Sequence, residues 1–263
     1  MESRLRVRRA GCELVGEVRG QGRDVVLVHG AGMNRSMFDA QVPALVEGGC
    51  RVLTFDLRGH GESRPATISL ADCDVVSEVV AMMDEAAMTS AVLVGQSLGG
   101  NICQHVARSA PDRVDSLVVI DSAWNAEELS PLENAALRAL GPLLSCLPWP
   151  WSVKRMAKAS AATSEGVGLA RRSFAQLSRE EFVQAWETAR GQLTKDRSAP
   201  SGMPLLLICG ELDGTGQVRR SMQGWATAAG TVLHRVPQAG HLANVDRPEL
   251  VNELLLDFIF RGP

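Results

Sequence analysis

The sequence lacks several features that mark whole classes of protein. Tyrosine is absent, aromatic residues make up only 4% of the 263 residues, and no apolar run approaches the ~20 residues that a membrane-spanning helix needs. Residues 1–6 carry charges and lack the apolar stretch of a secretory signal peptide. We therefore expect a cytoplasmic protein without a membrane partner, and we interpret the missing tyrosine as compositional bias.

The cysteines, charges and histidines exclude further classes. The six cysteines show neither C-x-x-C pairs nor zinc-finger spacing, so buried thiols in a reducing compartment are expected. The formal net charge is −3 with both signs interspersed, and no basic stripe favours nucleic acid. No histidine pair has metal-ligand spacing, and no G-x-G-x-x-G follows the first parallel strand. We expect neither a metal nor any cofactor.

Short apolar runs alternate with segments of helical spacing along most of the chain. Residues 5–8 and 12–18 are predicted to form two antiparallel strands. Mainly apolar Val, Leu and Ile runs follow and indicate buried parallel strands between helices; they cover residues 25–28, 51–55, 91–94, 117–120 and 205–209. Residues 231–236 are predicted to form one more strand. The pattern predicts an α/β protein with a mostly parallel sheet of about eight strands and helices on both faces.

Residues 124–198 interrupt this alternation and contain no convincing strand. We predict a core formed by residues 1–123 and 199–263, with residues 124–198 inserted as a helical lid. Four of the five tryptophans lie in the insertion and are candidate substrate-binding residues, as are several other apolar lid side chains. The alternative is that most of these side chains only dock the lid onto the core. The candidates are Trp124, Trp149, Trp151 and Trp186, with Leu143, Leu144, Leu147, Met156, Phe174 and Phe182.

The segment Gly95-Gln96-Ser97-Leu98-Gly99 lies between a predicted strand and a predicted helix. A serine at such a sharp turn takes a positive φ angle, which leaves no room for side chains two positions before and after it. Gly95 and Gly99 supply that room. The pattern is that of a nucleophile elbow; the alternative is an ordinary serine that caps a helix.

A serine nucleophile needs a base and an acid that orients the base. Past Ser97, one predicted strand runs into a loop with Asp213 and the next into a loop with His241. Serine, aspartate and histidine in that order, each after a parallel strand, are what an α/β-hydrolase triad requires. Asp121 also ends a strand and is the alternative acid. We predict Ser97, Asp213 and His241 as the catalytic residues.

Taken together, these segments resemble the α/β-hydrolase-fold superfamily over essentially the whole chain, and most closely its small lidded esterases, lactonases and carbon–carbon bond hydrolases. The resemblance implies the fold and the roles of the three catalytic residues. The oxyanion hole is expected to use the N–H of Leu98, just after the nucleophile. By similarity to His-Gly-X-Gly loops, Ala31 is expected to supply the second N–H, with Gly32 as the next candidate and a substrate-side residue. His29 and His60 are expected to brace their loops.

The expected activity is hydrolysis of a small, largely apolar ester or lactone through an acyl-enzyme. Two alternatives remain open at the level of sequence: hydrolysis of a carbon–carbon bond in a diketone, and a ligand-sensing receptor with the same fold and little turnover. Perhydrolysis is a further possible side activity. The expected partner is a small-molecule substrate, and the chain is expected to be a monomer or a homodimer.

Overall fold

A computed structural model describes residues 2–127, 147–191 and 202–262, together with positions 135 and 139. Within these residues the chain forms one eight-stranded sheet. Its strands are β1 (Glu2–Arg9), β2 (Cys12–Gly20), β3 (Arg23–Val28), β4 (Cys50–Phe55), β5 (Ala91–Gln96), β6 (Val114–Ile120), β7 (Leu205–Gly210) and β8 (Leu233–Val236).

The sheet has the order β1-β2-β4-β3-β5-β6-β7-β8. Strands β1 and β2 are antiparallel to each other, β2 is antiparallel to β4, and all later neighbours are parallel. The predicted mostly parallel sheet of about eight strands is confirmed. Because β3, β5, β6, β7 and β8 are parallel, the loops that follow them emerge at the same edge of the sheet.

Helices cover both faces of the sheet. In chain order the described α-helices are α1 (Gln41–Glu47), α2 (Val75–Glu85), α3 (Leu98–Ser109), α4 (Trp149–Ser160), α5 (Ser164–Phe174), α6 (Arg179–Gly191), α7 (Val218–Ala229), α8 (Ala243–Asp246) and α9 (Pro248–Arg261). Alternate residues of the central strands contribute to two separate apolar clusters. One cluster packs against α1 and α9, and the other packs against α2, α3 and α7. Two-sided burial explains the continuous apolar runs in the sequence.

Two elements are shorter than their sequence patterns predict. Helical spacing in the sequence predicts a helix that starts at Ser69 or Ala71. The observed helix α2 starts at Val75, because Leu70–Asp72 forms a separate 3-10 turn. The Asp74 carboxylate accepts the N–H of Ser77 at 3.1 Å and caps the helix there. Strand β8 begins at Leu233, two residues after its predicted start at residue 231.

The part of the predicted insertion that the structure describes is helical. Helices α4, α5 and α6 account for most of residues 149–191, and α4 packs extensively on α5. Residues 128–134, 136–138, 140–146 and 192–198 of the predicted lid lie outside the described residues, as does its predicted C-terminal boundary at residue 198. The boundaries of the lid stay predictions. Among the described helices, none combines the length and apolar character needed to cross a lipid bilayer.

Candidate active site

Ser97 lies at the turn between β5 and α3 in a strained backbone conformation, with φ 51° and ψ −120°. A β-carbon on Gly95 would lie 2.4 Å from the Gly99 carbonyl oxygen, and one on Gly99 would lie 2.0 Å from the Val28 oxygen. Only glycine fits at either position. The predicted elbow geometry is therefore present, and the strain is held by tight packing against β3.

The structure brings together the three side chains that the sequence singles out. The Nε2 atom of His241 lies 2.9 Å from the Oγ of Ser97, and its Nδ1 lies 2.9 Å from the Oδ2 of Asp213. Asp213 and His241 are buried, while Ser97 is partly exposed. The chain of contacts allows a proton to pass from the serine hydroxyl to the imidazole.

Within this hydrogen-bonded triad, Asp213 and His241 shift each other's pKa. Burial is the largest influence on Asp213 and by itself would raise its pKa. The charge and hydrogen bond of His241, with the N–H of Thr215, outweigh burial and lower it. Burial likewise acts to lower the pKa of His241, but Asp213 and, more weakly, Asp121 raise it above its ordinary value. The pair thus favours an ionised carboxylate beside a basic imidazole.

Asp121, the alternative acid, has a different set of contacts. Its Oδ1 accepts the N–H of Gly210 at 2.7 Å, and its Oδ2 accepts the N–H of Ala243 at 3.1 Å. Burial first, and the charge of Asp213 second, raise the pKa of Asp121 to about 8. Asp121 therefore ties together the loops that carry Asp213 and His241, and the geometry favours Asp213 as the partner of the imidazole.

Asp121, Cys209 and Asp213 are also close enough to one another to resemble a metal site. Both oxygens of each carboxylate already have a hydrogen-bond partner in the protein. Burial, and the nearby carboxylates after it, raise the pKa of the Cys209 thiol, so it stays protonated and is a poor ligand. The arrangement is that of a hydrogen-bonded support, and the expectation of no metal stays a prediction.

Two buried histidines hold the loop after β3. His29 Nε2 accepts the N–H of Leu57 at 2.9 Å, and His60 Nε2 accepts the N–H of Gly32 at 3.1 Å. Each accepting nitrogen must be unprotonated. Burial lowers the pKa of both rings, that of His29 to about 3. The contacts agree with the bracing roles expected for both residues.

The loop held in this way lies directly against Ser97. A β-carbon on Gly30 would lie 3.1 Å from the Ser97 Cβ. Among the described residues, the N–H of Ala31 donates to no other protein group. Leu98 opens α3, so its N–H is one of the four that have no acceptor within the helix. Both amides expected to form an oxyanion hole thus belong to segments beside the serine.

An aromatic cluster from the helical segment packs on the same loop. A β-carbon on Gly32 would lie 2.7 Å from ring atoms of Phe174 and Phe182. The Phe182 ring lies 5.3 Å from that of Phe174 and 5.7 Å from that of Trp149. Trp149 is anchored by its Nε1–H, which donates to the Leu177 carbonyl at 3.0 Å. Of the candidate substrate-side residues, Gly32 and Trp149 therefore share one apolar surface.

The other three candidate tryptophans lie elsewhere. Trp124 stacks on Trp225 of α7, with ring centroids 6.2 Å apart. Trp151 is 47% exposed and lies under the guanidinium of Arg155. Trp186 is half-buried on α6. The contacts of Trp124 and Trp151 favour the docking and solvent-facing interpretations, and a role in substrate binding stays a prediction for all three.

Several side chains that sequence reasoning did not single out support this site. The Nε2 of Gln96 donates to the His241 carbonyl at 2.6 Å, and the Oγ of Ser122 donates to the Ser97 carbonyl at 2.7 Å. Asp246 accepts the N–H of Gly240 at 2.8 Å. Gln96 and Ser122 sit beside predicted site residues in the sequence, but no local pattern shows that their side chains turn inward.

Comparison with known proteins agrees with this fold. The model of the family described as the alpha/beta hydrolase family matches residues 25–254. The chain belongs to the alpha/beta hydrolase family.

Relatives with named activities include two bacterial proteins. The dihydrolipoyllysine-residue acetyltransferase component of the acetoin cleaving system of Pseudomonas putida is 33% identical over an alignment of 255 positions that covers 92% of this chain. The chain spans 65% of the length of that relative. The pimeloyl-[acyl-carrier protein] methyl ester esterase of Vibrio parahaemolyticus is 28% identical over an alignment of 205 positions that covers 74% of this chain and 78% of that protein.

Solved structures of the same fold cover nearly the whole chain. The enol-lactonase from Burkholderia xenovorans LB400 has a TM-score of 0.77 at 22% identity and covers 97% of this chain and 99% of its own. At that identity the likeness shows the fold alone.

Proposed function

We propose that this protein is a serine hydrolase that cleaves a small, largely apolar carboxylic ester or lactone through an acyl-enzyme. The observation that carries the proposal is the hydrogen-bonded chain from the Ser97 hydroxyl through His241 to Asp213. Hydrolysis of esters in general is supported by membership of the alpha/beta hydrolase family and by relatives named as esterases.

The contacts support a mechanism in two halves. Ser97 Oγ attacks the substrate carbonyl while His241 Nε2 takes the hydroxyl proton. The same nitrogen then gives that proton to the leaving alcohol as the carbon–oxygen bond breaks. In the second half, His241 takes a proton from water, whose oxygen attacks the acyl carbon, and returns it to Ser97. Asp213 keeps the proton of the neutral imidazole on Nδ1 and stabilises the imidazolium.

Two backbone amides are proposed to stabilise the negative oxygen of each tetrahedral intermediate. The N–H of Leu98 lies at the N-terminus of α3, where the helix dipole also favours an anion. The N–H of Ala31 belongs to the loop that His60 holds through Gly32. Fixed donors of this kind lower the barrier because they need no reorganisation during the reaction, and one donor is typically worth about 10²–10³ in kcat.

The proposed substrate class follows from the aromatic side chains that pack on the loop at Gly32. We propose that the insertion is a lid whose helices α4, α5 and α6 supply the aromatic cluster of Trp149, Phe174 and Phe182. This cluster packs on Gly32, next to the proposed oxyanion loop. An apolar cluster of this kind favours binding of a substrate whose acyl group or ring carries little charge.

The test combines active-site labelling with turnover. A fluorophosphonate should label the wild type and leave Ser97→Ala unlabelled, and p-nitrophenyl acetate hydrolysis should be lost in the same variant. The melting temperature should stay nearly unchanged, because alanine keeps the backbone of the turn. Ser109→Ala, at the exposed end of α3, is the matched control and should behave as wild type.

A substrate panel decides between the activities open to this site. Esters, lactones and diketones run at equal concentration should show turnover of an ester or lactone. Preferential cleavage of the diketone would support carbon–carbon hydrolysis instead. A single turnover followed by arrest would support a ligand sensor. Retained hydrolysis in Ser97→Ala would exclude Ser97 as the nucleophile and would refute the proposed function.

A further inference from the structure

One buried carboxylate, that of Asp246, joins the loop that carries His241 to the corner between α4 and α5. Its Oδ2 accepts the N–H of Gly240 and the N–H of Ala162, each at 2.8 Å. Its Oδ1 accepts the N–H of Thr163 at 2.9 Å and the hydroxyl of Thr163 at 2.7 Å. Four donors from two separate segments thus converge on a side chain that is 5% exposed.

The same two segments touch on the other side of His241. The N–H of Leu242 donates to the Ser160 carbonyl at 3.0 Å. A β-carbon on Gly240 would lie 3.1 Å from the Cα of Ala161, so the backbones are nearly in contact. Residues 160–163 therefore flank the histidine loop both before and after the imidazole.

The backbone around His241 is held at every position from 240 to 243. Gly240 is bound by Asp246, the His241 carbonyl accepts from Gln96, and Ala243 donates to Asp121. Gln96 and Asp121 belong to the sheet edge, so they tie the loop only to the core. Among these side chains, Asp246 is the one whose described contacts also reach the α4–α5 corner.

We propose that Asp246 is a positioning residue that holds His241 in its productive place and couples it to the α4–α5 corner. The inference rests on the proposed function, in which His241 is the base. A carboxylate that accepts several N–H and O–H bonds is held strongly, because charge-assisted bonds are roughly twice as strong as neutral ones. Loss of these bonds frees the histidine loop, and a displacement of about 1 Å at a catalytic group can cost 10²-fold in rate.

The experiment measures kcat and KM for p-nitrophenyl acetate in the full chain. Asp246→Asn should lower kcat by about 10- to 10²-fold with KM within about twofold, because the amide can accept on one side only and presents hydrogens to donors on the other. Asp246→Glu should restore part of the loss, since it keeps both accepting oxygens. Asp74→Ala, which removes the α2 cap, should leave kcat unchanged.

Combining Asp246→Asn with His241→Ala distinguishes a positioning role from general weakening of the fold. If Asp246 acts through His241, Asp246→Asn should cause no further loss of activity in a His241→Ala chain. An equal loss in both backgrounds would overturn the inference, as would wild-type kcat in Asp246→Asn. If His241→Ala itself keeps wild-type turnover, the proposed function fails, and the inference fails with it.

A milder pair of variants tests the same coupling if Asp246→Asn does not fold. Thr163→Val removes the hydroxyl that donates to Asp246 and caps α5 through the Gly166 N–H, whereas Thr163→Ser keeps both contacts. Thr163→Val should lower kcat about 3- to 10-fold, and Thr163→Ser should stay near wild type. Equal kcat in the two variants would overturn the inference.

Discussion

The Nδ1 atom of His241 lies 2.9 Å from the Oδ2 of Asp213, and Asp213 accepts the N–H of Thr215 through its other oxygen at 2.8 Å. A carboxylate held at both oxygens cannot rotate freely. It therefore fixes the proton of neutral His241 on Nδ1 and leaves Nε2 as the acceptor that faces Ser97.

The first prediction compares the two candidate acids. Asp213→Asn should lower kcat by about 10³–10⁴, because the amide no longer holds the imidazole in the required tautomer. Asp121→Asn should lower kcat less than about tenfold. Its main effect should be a lower melting temperature, since its amide would face a backbone N–H of Gly210 or Ala243. Steady-state kinetics and thermal unfolding measure both, and the reverse order of activity would transfer the acid role to Asp121.

The second prediction concerns pH. Because the base must be neutral to accept the serine proton, kcat/KM should rise with pH through one ionisation with its midpoint above 6.5, the ordinary histidine pKa. Burial would lower this pKa, but Asp213 overcomes it. In Asp213→Asn the burial effect remains while the carboxylate is gone, so the midpoint should move to lower pH. The pH dependence of fluorophosphonate labelling, measured from about pH 5 to 9, gives the midpoint of the weakly active variant. A midpoint equal to or above that of the wild type would contradict the assignment.

The third prediction tests the loop beneath the aromatic cluster. Gly32 has a φ of 76°, and a methyl group there would lie 2.7 Å from the rings of Phe174 and Phe182. Gly32→Ala should lower kcat at least about tenfold, since the neighbouring Ala31 amide must shift with the loop. Gly230→Ala is the matched control.

Gly230 has a similar φ of 65° at the end of α7, but no described atom lies within 4 Å of the added carbon. Both substitutions should cost about 1 kcal/mol of stability from the left-handed backbone. Only Gly32→Ala should lose activity. Equal kinetics in the two variants would show that the loop geometry does not matter for turnover.

The fourth prediction concerns stability away from the site. Arg58 and Glu78 form a buried ion pair in which the Arg58 Nε donates to Glu78 Oε1 at 2.9 Å, and Arg58 also donates to the Ala10 carbonyl. Arg58→Met should lower the free energy of unfolding by about 3–5 kcal/mol, because it leaves a buried carboxylate unpaired. Asp257→Asn, which breaks the exposed pair with Arg261, should change it by less than about 0.5 kcal/mol. Denaturant unfolding measures both changes. Similar losses of unfolding free energy in the two variants would contradict the idea that burial makes the Arg58–Glu78 pair more important than the exposed pair.

Local pattern was sufficient to predict the elements around the site. The apolar runs predicted the buried strands because burial on both faces requires continuous Val, Leu and Ile. The glycines around Ser97 predicted the turn because a residue with positive φ excludes nearby β-carbons. Where the pattern extended too far, as at the start of α2, a local cap at Asp74 decided the boundary.

The choice between Asp213 and Asp121 depended on the tertiary structure. Both residues follow parallel strands, and only the side-chain contacts show which carboxylate meets the imidazole. The same holds for the tryptophans, since their spacing does not reveal that Trp124 stacks on α7 while Trp149 joins the cluster above Gly32. Asp246 had no local signature at all, because three of its four donors belong to Ala162 and Thr163, which precede it by 84 and 83 residues in the chain.

The sequence by itself thus determined the strands, the sharp turn at Ser97 and the order of the candidate catalytic residues, because steric and burial constraints act between near neighbours in the chain. The tertiary structure alone decided which acid faces His241, which aromatic residues pack on the loop at Gly32 and how Asp246 links that histidine to the α4–α5 corner. These relationships depend on hydrogen bonds and packing between distant segments, and such contacts exist only after the sheet has formed.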